Sequence, residues 1–388
     1  MARTAVVVGG GIGGLTAAVS LSWHGWQVTV LERAPEFTEV GAGITLMSNA
    51  LAGLDALDVG PEVRATGSIS APGGTRRYDG RWLSRVPAGG LEKRLGLEVV
   101  GIHRATLVDI LRSRLPEASL LAGAEVVDVT PSAPALVSYR RDGRLQHLTA
   151  DVVVAADGIN SGIRRDLWRH PSSVRYSGVT AWRAVTPEPW PVEVPVGLTW
   201  SRGAEFGVVP LGDGRIYWFV ALNAPPGRRY DDDLAELRRL FGGWHEPIPE
   251  LMDATRPGTV LHNDIFELRP DLHTYVHGRV VLLGDAAHAM VPHLGQGACQ
   301  AIEDAVVLGA LLAGTGAGEG AGVDAALAEY DRLRRPRTQS VARSARMASR
   351  LGQRLENPAA VAVRNSLMRS TPPQVAMGAL ARVARWRP

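Results

Sequence analysis

The chain has 388 residues, with 42 Lys+Arg against 39 Asp+Glu, a formal charge of +3. Hydrophobic residues make up 45% and charged residues 21%, which describes a globular chain of about two to three domains and excludes a disordered one. The single cysteine, Cys299, excludes an intrachain disulfide framework and a multi-cysteine zinc site, and no apolar run approaches the ~18 residues of a membrane span.

In chain order, Thr4–Val8 is a short β-rich apolar run, suited to a strand buried on both faces of a parallel sheet. Glycines follow, then a helix through Leu15–Leu21 that ends near Gly25, then a second strand, Gln27–Leu31, running into Glu32. This is a βαβ opening rather than a secretion signal, so a cytoplasmic protein is expected. Arg104–Leu115 reads as a helix with Leu107, Ile110, Leu111 and Leu115 at helical spacing. Val152–Ala155 and Val280–Leu283 are further buried-strand candidates, each leading to an aspartate. Between them, Thr180–Val185, Val196–Trp200, Phe206–Val209 and Arg215–Leu222 are separated by Gly, Pro and Asp, the pattern of an antiparallel sheet, and Ser68–Arg85 has the same character. Gly314–Gly322 looks like a linker. Buried-parallel signals at both ends with antiparallel signals between them predict an insertion. The expected division is a discontinuous nucleotide-binding domain (1–67, 100–170 and 271–330), an inserted sheet domain (68–99 and 171–270) and a basic helical segment (331–388).

That last segment holds thirteen arginines against Asp331 and Glu356, so it is strongly basic beside an acidic remainder. It contains one Trp and neither Tyr nor Phe, which argues against nucleic-acid binding. Val341, Ala345, Ala348, Leu351 and Leu355 recur at helical spacing beside a stripe of Arg343, Arg346, Arg350 and Arg354. A helix of this kind can lie on a lipid surface or dock on the acidic body, within the chain or between subunits.

Three motifs carry chemistry. Gly9-Gly10-Gly11-Ile12-Gly13-Gly14 lies between a strand and a helix, where glycines allow a tight turn, close approach of a pyrophosphate, and helix–strand contact at Gly14. Glu32 is placed to accept hydrogen bonds from a ribose, which makes dinucleotide binding the reading, FAD or NAD left open. Ala156-Asp157-Gly158 follows a buried strand, where open α/β sheets bind ligands; an aspartate or serine simply capping a helix is the alternative. Gly284-Asp285-Ala-Ala-His288 continues through Pro292, His293 and Gly295-Gln296-Gly297-Ala298 into a helix whose N-terminus favours developing negative charge. His288 lacks nearby carboxylate or cysteine partners in sequence and is read as a packing residue, as is Cys299; no metal site is expected.

These motifs, in this order, resemble the single-component FAD-dependent aromatic hydroxylases, a likeness spanning about residues 4–345. Thr180-Ala-Trp182-Arg183 and the Gly-Gln-Gly-Ala-Cys-Gln segment look most like the salicylate hydroxylase, urate hydroxylase and zeaxanthin epoxidase branch. The resemblance implies an α/β fold: a Rossmann-like FAD-binding domain with a parallel sheet, an inserted antiparallel substrate domain and a C-terminal helical segment. It implies FAD held by Gly9, Gly11, Gly13 and Gly14, with Glu32 on the adenosine ribose and Arg33 and Arg104 on the nucleotide. It further implies Asp157 in the motif linked to FAD and NAD(P)H, Asp285 on the ribityl chain, and Pro292, Gly295, Gln296, Gly297 and Ala298 along the isoalloxazine. Gly43 and Val126 complete the expected cofactor set.

The implied reaction is hydroxylation of an aromatic or polyketide-like small molecule with O2, through a C4a-hydroperoxyflavin, with NADH or NADPH visiting transiently. Expected near the oxygen-transfer site are Pro292 and either His293 or Tyr217 to polarise the substrate, with Trp182, Tyr217 and Glu205 as substrate contacts. Glu205 stands where the urate type has an arginine, which disfavours urate and a simple benzoate. Epoxidation of an alkene and a non-catalytic flavoprotein redox sensor are the alternatives. A halogenase lacks support, since there is no Trp-x-Trp-x-Ile-Pro segment and Lys93 is the sole lysine. The expected partners are a small-molecule substrate and O2, with no nucleic acid and no membrane span; a homodimer is compatible with the sequence.

Overall fold

A computed structural model describes residues 2–37, 42–69, 72–85, 98–168, 172–315 and 320–388. Its first layer is a six-stranded sheet in the order Val276–His277, Val280–Leu282, Val152–Ala155, Thr4–Val8, Gln27–Glu32 and Leu120–Ala122. All neighbours pair in parallel except the short first strand. Val6, Val7, Val30, Val153, Val154 and Val281 are buried, as expected for a sheet covered on both faces. The helix Ile12–Trp23 lies against the nearly all-buried helix Gly297–Ala313, and small residues allow that approach: Gly309 faces Ser20, and Gly13 faces Leu283 and Ala301.

The second layer is a seven-stranded sheet in the order Leu261–Arg269, Ser173–Val185, Ile216–Asn223, Ala204–Pro210, Val196–Trp200, Pro72–Arg77 and Trp82–Arg85. It is antiparallel except where Val196–Trp200 runs parallel to Pro72–Arg77. One face is sealed by the amphipathic helices Asp233–Phe241 and Ile248–Ala254, which bury Leu237, Phe241, Leu251 and Met252 against Phe206 and Trp218. These two helices carry no motif and have no counterpart in the sequence reading. The other face looks toward the first layer.

Two small antiparallel sheets differ from the expectation. Ser68–Ile69 pairs with Val99–His103 and not with the large sheet, forming a three-stranded unit with Gly43–Met47. Glu125–Thr130, Ala135–Arg141 and Arg144–Ala150 form a second, beside the parallel sheet. Residues 86–97, Lys93 among them, and residues 316–319 of the expected linker lie outside the described residues; the linker's Gly320 already opens a helix.

That helix, Gly320–Leu351, runs straight through residue 331, where the sequence suggested a boundary, with Pro336 inside it. Pro358–Ser370 and Pro373–Ala384 follow. Val341 and Ala345 are buried as the helical stripe predicts, but Leu351 is 61% exposed: the helix ends there, and the buried stripe passes to Gly352 and Gln353. The basic segment docks on the body through ion pairs, Arg343 with Asp271, and Arg346 with Glu267 and Asp271. Among the described residues, no helix is long and apolar enough to cross a membrane.

Candidate active site

Between the two layers lies a large cavity of about 1190 Å3. A typical small-molecule site occupies roughly 300–1,000 Å3, so there is room here for a dinucleotide and a substrate together. Its floor is the C-terminal edge of the parallel sheet. Gly9 leaves that sheet with φ of +109°, a conformation that side chains with a Cβ rarely adopt. A Cβ at Gly14 would overlap the Gly9 carbonyl, so the turn and helix can approach only with glycine there. The helices Ile12–Trp23 and Gly297–Ala313 both begin at the cavity, and neither has a side-chain cap, which leaves their first N–H groups available to an anion. Gly297 has open space where its Cβ would project, a further fit to a flat group lying against the turn.

Gly9, Gly11, Gly13, Glu32, Arg33, Gly43, Arg104, Val126, Asp157 and Asp285 all line this one cavity, as do Pro292, His293, Gly295, Gln296, Gly297 and Ala298. Gly14 stands behind the wall. Glu32 accepts from the Gly10 and Ala34 amides at 2.6 and 2.8 Å, so its carboxylate braces the glycine turn while facing the cavity. Burial raises the Asp157 carboxyl, and its buried Oδ1 has no hydrogen-bond partner among the described residues.

A polar network supports the Pro292–Ala298 turn from behind. Asn49 donates to Gln296 Oε1 and Glu303 Oε1, and Gln300 donates to the same two oxygens. Arg334, 1% exposed, binds Glu303 and Asp304 at 2.6 Å each, and Arg337 adds a second contact to Glu303. His288 is not without a carboxylate: its Nε2 lies 2.6 Å from Asp304, sixteen residues on, which the Gly297–Ala313 helix brings back beside it. Burial opposes charge on Asp304, yet His288 and Arg334 hold it below the usual carboxylate range. Cys299 is fully buried, and burial pushes its thiol up to about 12, which leaves it a packing residue.

The roof is the inner face of the seven-stranded sheet. Strand pairing sets out its rows: Ala181, Ala221 and Glu205 in one, Arg183, Phe219 and Gly207 in the next, Tyr217 and Val209 in the third. Tyr217 lies against Gly43, and burial pushes its phenol up to about 12. Trp182 does not belong to this wall. Successive side chains of a strand alternate, so Trp182 shares the opposite face with Trp218 and Phe206, 1% exposed, and its indole N–H donates to Asp233 at 2.8 Å. Its neighbours Ala181 and Arg183 line the cavity instead, with Arg183 donating to Asn263 at 2.6 Å.

Glu205 does face the cavity. It is 4% exposed, its Oε2 accepts the Trp200 indole N–H at 2.5 Å, and no cation pairs with it among the described residues. Burial pushes its carboxyl up to about 7. His293, in the short turn Pro292–Leu294, is kept neutral by burial, which lowers it to about 4. Its Nε2 lies 3.3 Å from Gln353 Oε1, and its Nδ1 is without a partner among the described residues. Gln353 and Trp200 sit in no motif, and the sequence reading assigned neither to the site.

Comparison with known proteins fits this geometry. The family described as FAD binding domain matches residues 2–345. Aurachin C monooxygenase/isomerase of Stigmatella aurantiaca is 38% identical over 374 residues, 94% of each chain. The 2-heptyl-3-hydroxy-4(1H)-quinolone synthase of Pseudomonas aeruginosa is 32% identical over 378 residues, 95% of this chain and 94% of the relative. Among solved structures, Klebsiella pneumoniae HpxO complexed with FAD and uric acid superposes with a TM-score of 0.89 at 27% identity, covering 98% of this chain and 96% of HpxO.

Proposed function

The chain belongs to the FAD binding domain family, and from that premise we propose that it hydroxylates a neutral, N–H-bearing fused heteroaromatic of the 4(1H)-quinolone kind. The protein is an FAD-dependent monooxygenase that uses NAD(P)H and O2. When bound, FAD supplies hydride acceptance from NAD(P)H and activation of O2. The chain's own residues orient, exclude water and manage protons.

In this reading the glycines of the first turn, with Glu32, Arg33 and Val126, hold the adenosine and pyrophosphate, and Arg104 and Asp157 border the nucleotide. Asp285 takes the ribityl chain, and Pro292 with Gly295–Ala298 and Gly43 flanks the ring system. Phe219, Tyr217 and Met47 give the substrate an apolar, aromatic enclosure, and His293 and Tyr217 polarise it.

The observation that carries the substrate class is Glu205. A buried carboxyl with one indole partner and no counter-cation among the described residues disfavours a carboxylate ligand at that row, and it offers an acceptor to a ring N–H. A panel of 2-heptyl-4(1H)-quinolone, salicylate and urate, scored by substrate-stimulated NAD(P)H oxidation and a one-oxygen mass gain, tests this. The quinolone alone is expected to gain oxygen; turnover of salicylate or urate in its place overturns the reading. The single cysteine and the use of NAD(P)H support a cytoplasmic setting. A homodimer is the assembly we propose, supported by the apolar side chains of Met347, Leu351 and Leu367 left exposed on the C-terminal helices. Light scattering giving the mass of one 41.4 kDa chain would reject it.

A further inference from the structure

We infer that Gln353, in the basic C-terminal segment, is a positioning residue that fixes His293 as its neutral Nε2–H tautomer, leaving Nδ1 as the acceptor for the substrate. Two backbone carbonyls, of Arg354 and Gly203, can only accept hydrogen bonds. Asn223 Nδ2 donates to the Arg354 carbonyl at 3.1 Å, which orients the Asn223 amide so that its Oδ1 points the other way. Gln353 Nε2 then donates to that Oδ1 at 3.0 Å and to the Gly203 carbonyl at 2.9 Å. Turning the Gln353 amide over would set its oxygen against two acceptors, so Oε1 must face His293. Oε1 has only lone pairs to offer, and the His293 Nε2 that meets it at 3.3 Å therefore carries the proton.

One consequence is chemical. His293 is held neutral by burial, so with Nε2 protonated its Nδ1 holds a lone pair, and that atom has no partner among the described residues. His293 lines the cavity beside Pro292 with Nδ1 itself buried just beneath the wall, so this nitrogen accepts a hydrogen bond from a substrate N–H or O–H after a small shift of the Pro292–Leu294 turn. It draws electron density onto the ring that is to be oxygenated, without itself becoming charged. The opposite tautomer would present an N–H donor and lose this polarisation.

A second consequence links domains. Gln353 is fully buried and is clamped to the sheet domain by the tail itself, since Gly203 N–H donates to the Leu355 carbonyl at 3.1 Å and Asn223 Nδ2 also reaches Glu356 at 2.6 Å. The C-terminal segment thus sets a proton position on the loop that opens the Gly297–Ala313 helix. Arg354 is the charged neighbour that adds to the lowering of His293.

This inference rests on the reading of His293 as a substrate-facing group, and the experiment separates the two. Histidine-selective 15N NMR of the FAD-loaded enzyme, assigned with H293N, reads the tautomer and the titration of His293 directly. The wild type is expected to show the Nε2–H form, still neutral at pH 6; an Nδ1–H form overturns the inference without any variant. In Q353L the tautomer is expected to become mixed, with the titration moving further below the ordinary histidine value because the hydrogen bond that raises it is lost, and Q353E should keep Nε2–H while raising the titration. Product per NAD(P)H is expected to fall about tenfold in Q353L with KM within about twofold. An unchanged His293 spectrum in Q353L that still holds FAD overturns the inference, even if H293N uncouples the enzyme. A shifted spectrum with H293N fully coupled leaves the tautomer assignment standing and removes His293 from the chemistry.

Discussion

Glu205 illustrates how a single side chain can be unfavourable for the fold and useful to the site. Its ordinary carboxyl value is 4.5 and burial lifts it to about 7, so the folded chain holds a proton that the unfolded chain has released. The sign follows from proton linkage. Below about pH 4.5 both states are protonated and there is no penalty; between there and about pH 7 the penalty grows, and above pH 7 it is complete, at roughly 3 kcal/mol for a shift of this size. E205Q keeps an oxygen for the Trp200 indole and removes the titration. Thermal melts of the FAD-loaded protein are therefore expected to show E205Q more stable than wild type at pH 8, with the gap closing by pH 5. An equal gap at both pH values would mean that the carboxyl is not held protonated by burial. His293 works in the opposite sense: burial lowers it to about 4, and stability present above its ordinary value of 6.5 is lost as the pH falls toward 4.

The paired carboxylates of Gly297–Ala313 show the same tension one level up. Glu303 and Asp304 are both fully buried on adjacent positions, and Arg334, from the distant Gly320–Leu351 helix, binds both from inside the core, with Arg337 also on Glu303 and His288 on Asp304. Removing one partner of such a cluster costs about 3–5 kcal/mol, because the remaining charges stay buried. R334M is expected to lose stability on that scale and to hold FAD less tightly, since Glu303 also anchors Asn49 behind the Gln296 turn. Adding E303Q and D304N should restore most of the stability; if it does not, packing rather than charge is what Arg334 contributes. In the sequence these helices were legible by their glycine turn and apolar spacing, and the parallel strands by unbroken Val and Ala runs such as Val152–Ala155. Arg334 was not, because it is one of thirteen arginines in a segment whose composition describes a solvated face. Trp182 was misplaced for a related reason. Both faces of its strand are covered, one by helices and one by the cavity, so alternation says which residues share a face but not which face is the cavity's. The strands of residues 125–150 escaped notice because their outward positions are polar and exposed, as in Glu125, Asp128 and Gln146.

At the scale of the whole molecule, the +3 charge is the residue of an acidic body joined to a basic tail that wraps it. Beyond the long helix, Arg364 donates to the Gly352 carbonyl at 2.6 Å and stacks over Trp200, whose indole holds Glu205. Further on, Arg337 reaches the Val383 carbonyl, and Trp386 packs on the core of the parallel-sheet layer near Gly53. The tail thus touches both layers that bound the cavity, and its arginines serve the fold before any external partner. Deleting residues 357–388 removes five arginines and no acid, so a membrane-binding role and a bracing role predict different things. For bracing, the melting temperature should fall by about 2 °C or more and FAD should be released more readily, because losing ~2 kcal/mol of interlayer contact moves the midpoint of a 388-residue chain by that much. Sedimentation with vesicles rich in anionic lipid should show little binding before or after the deletion. Strong vesicle binding by the intact chain, abolished by a deletion that leaves the melt and the flavin untouched, would transfer the basic stripe from the interior of the protein to a lipid surface.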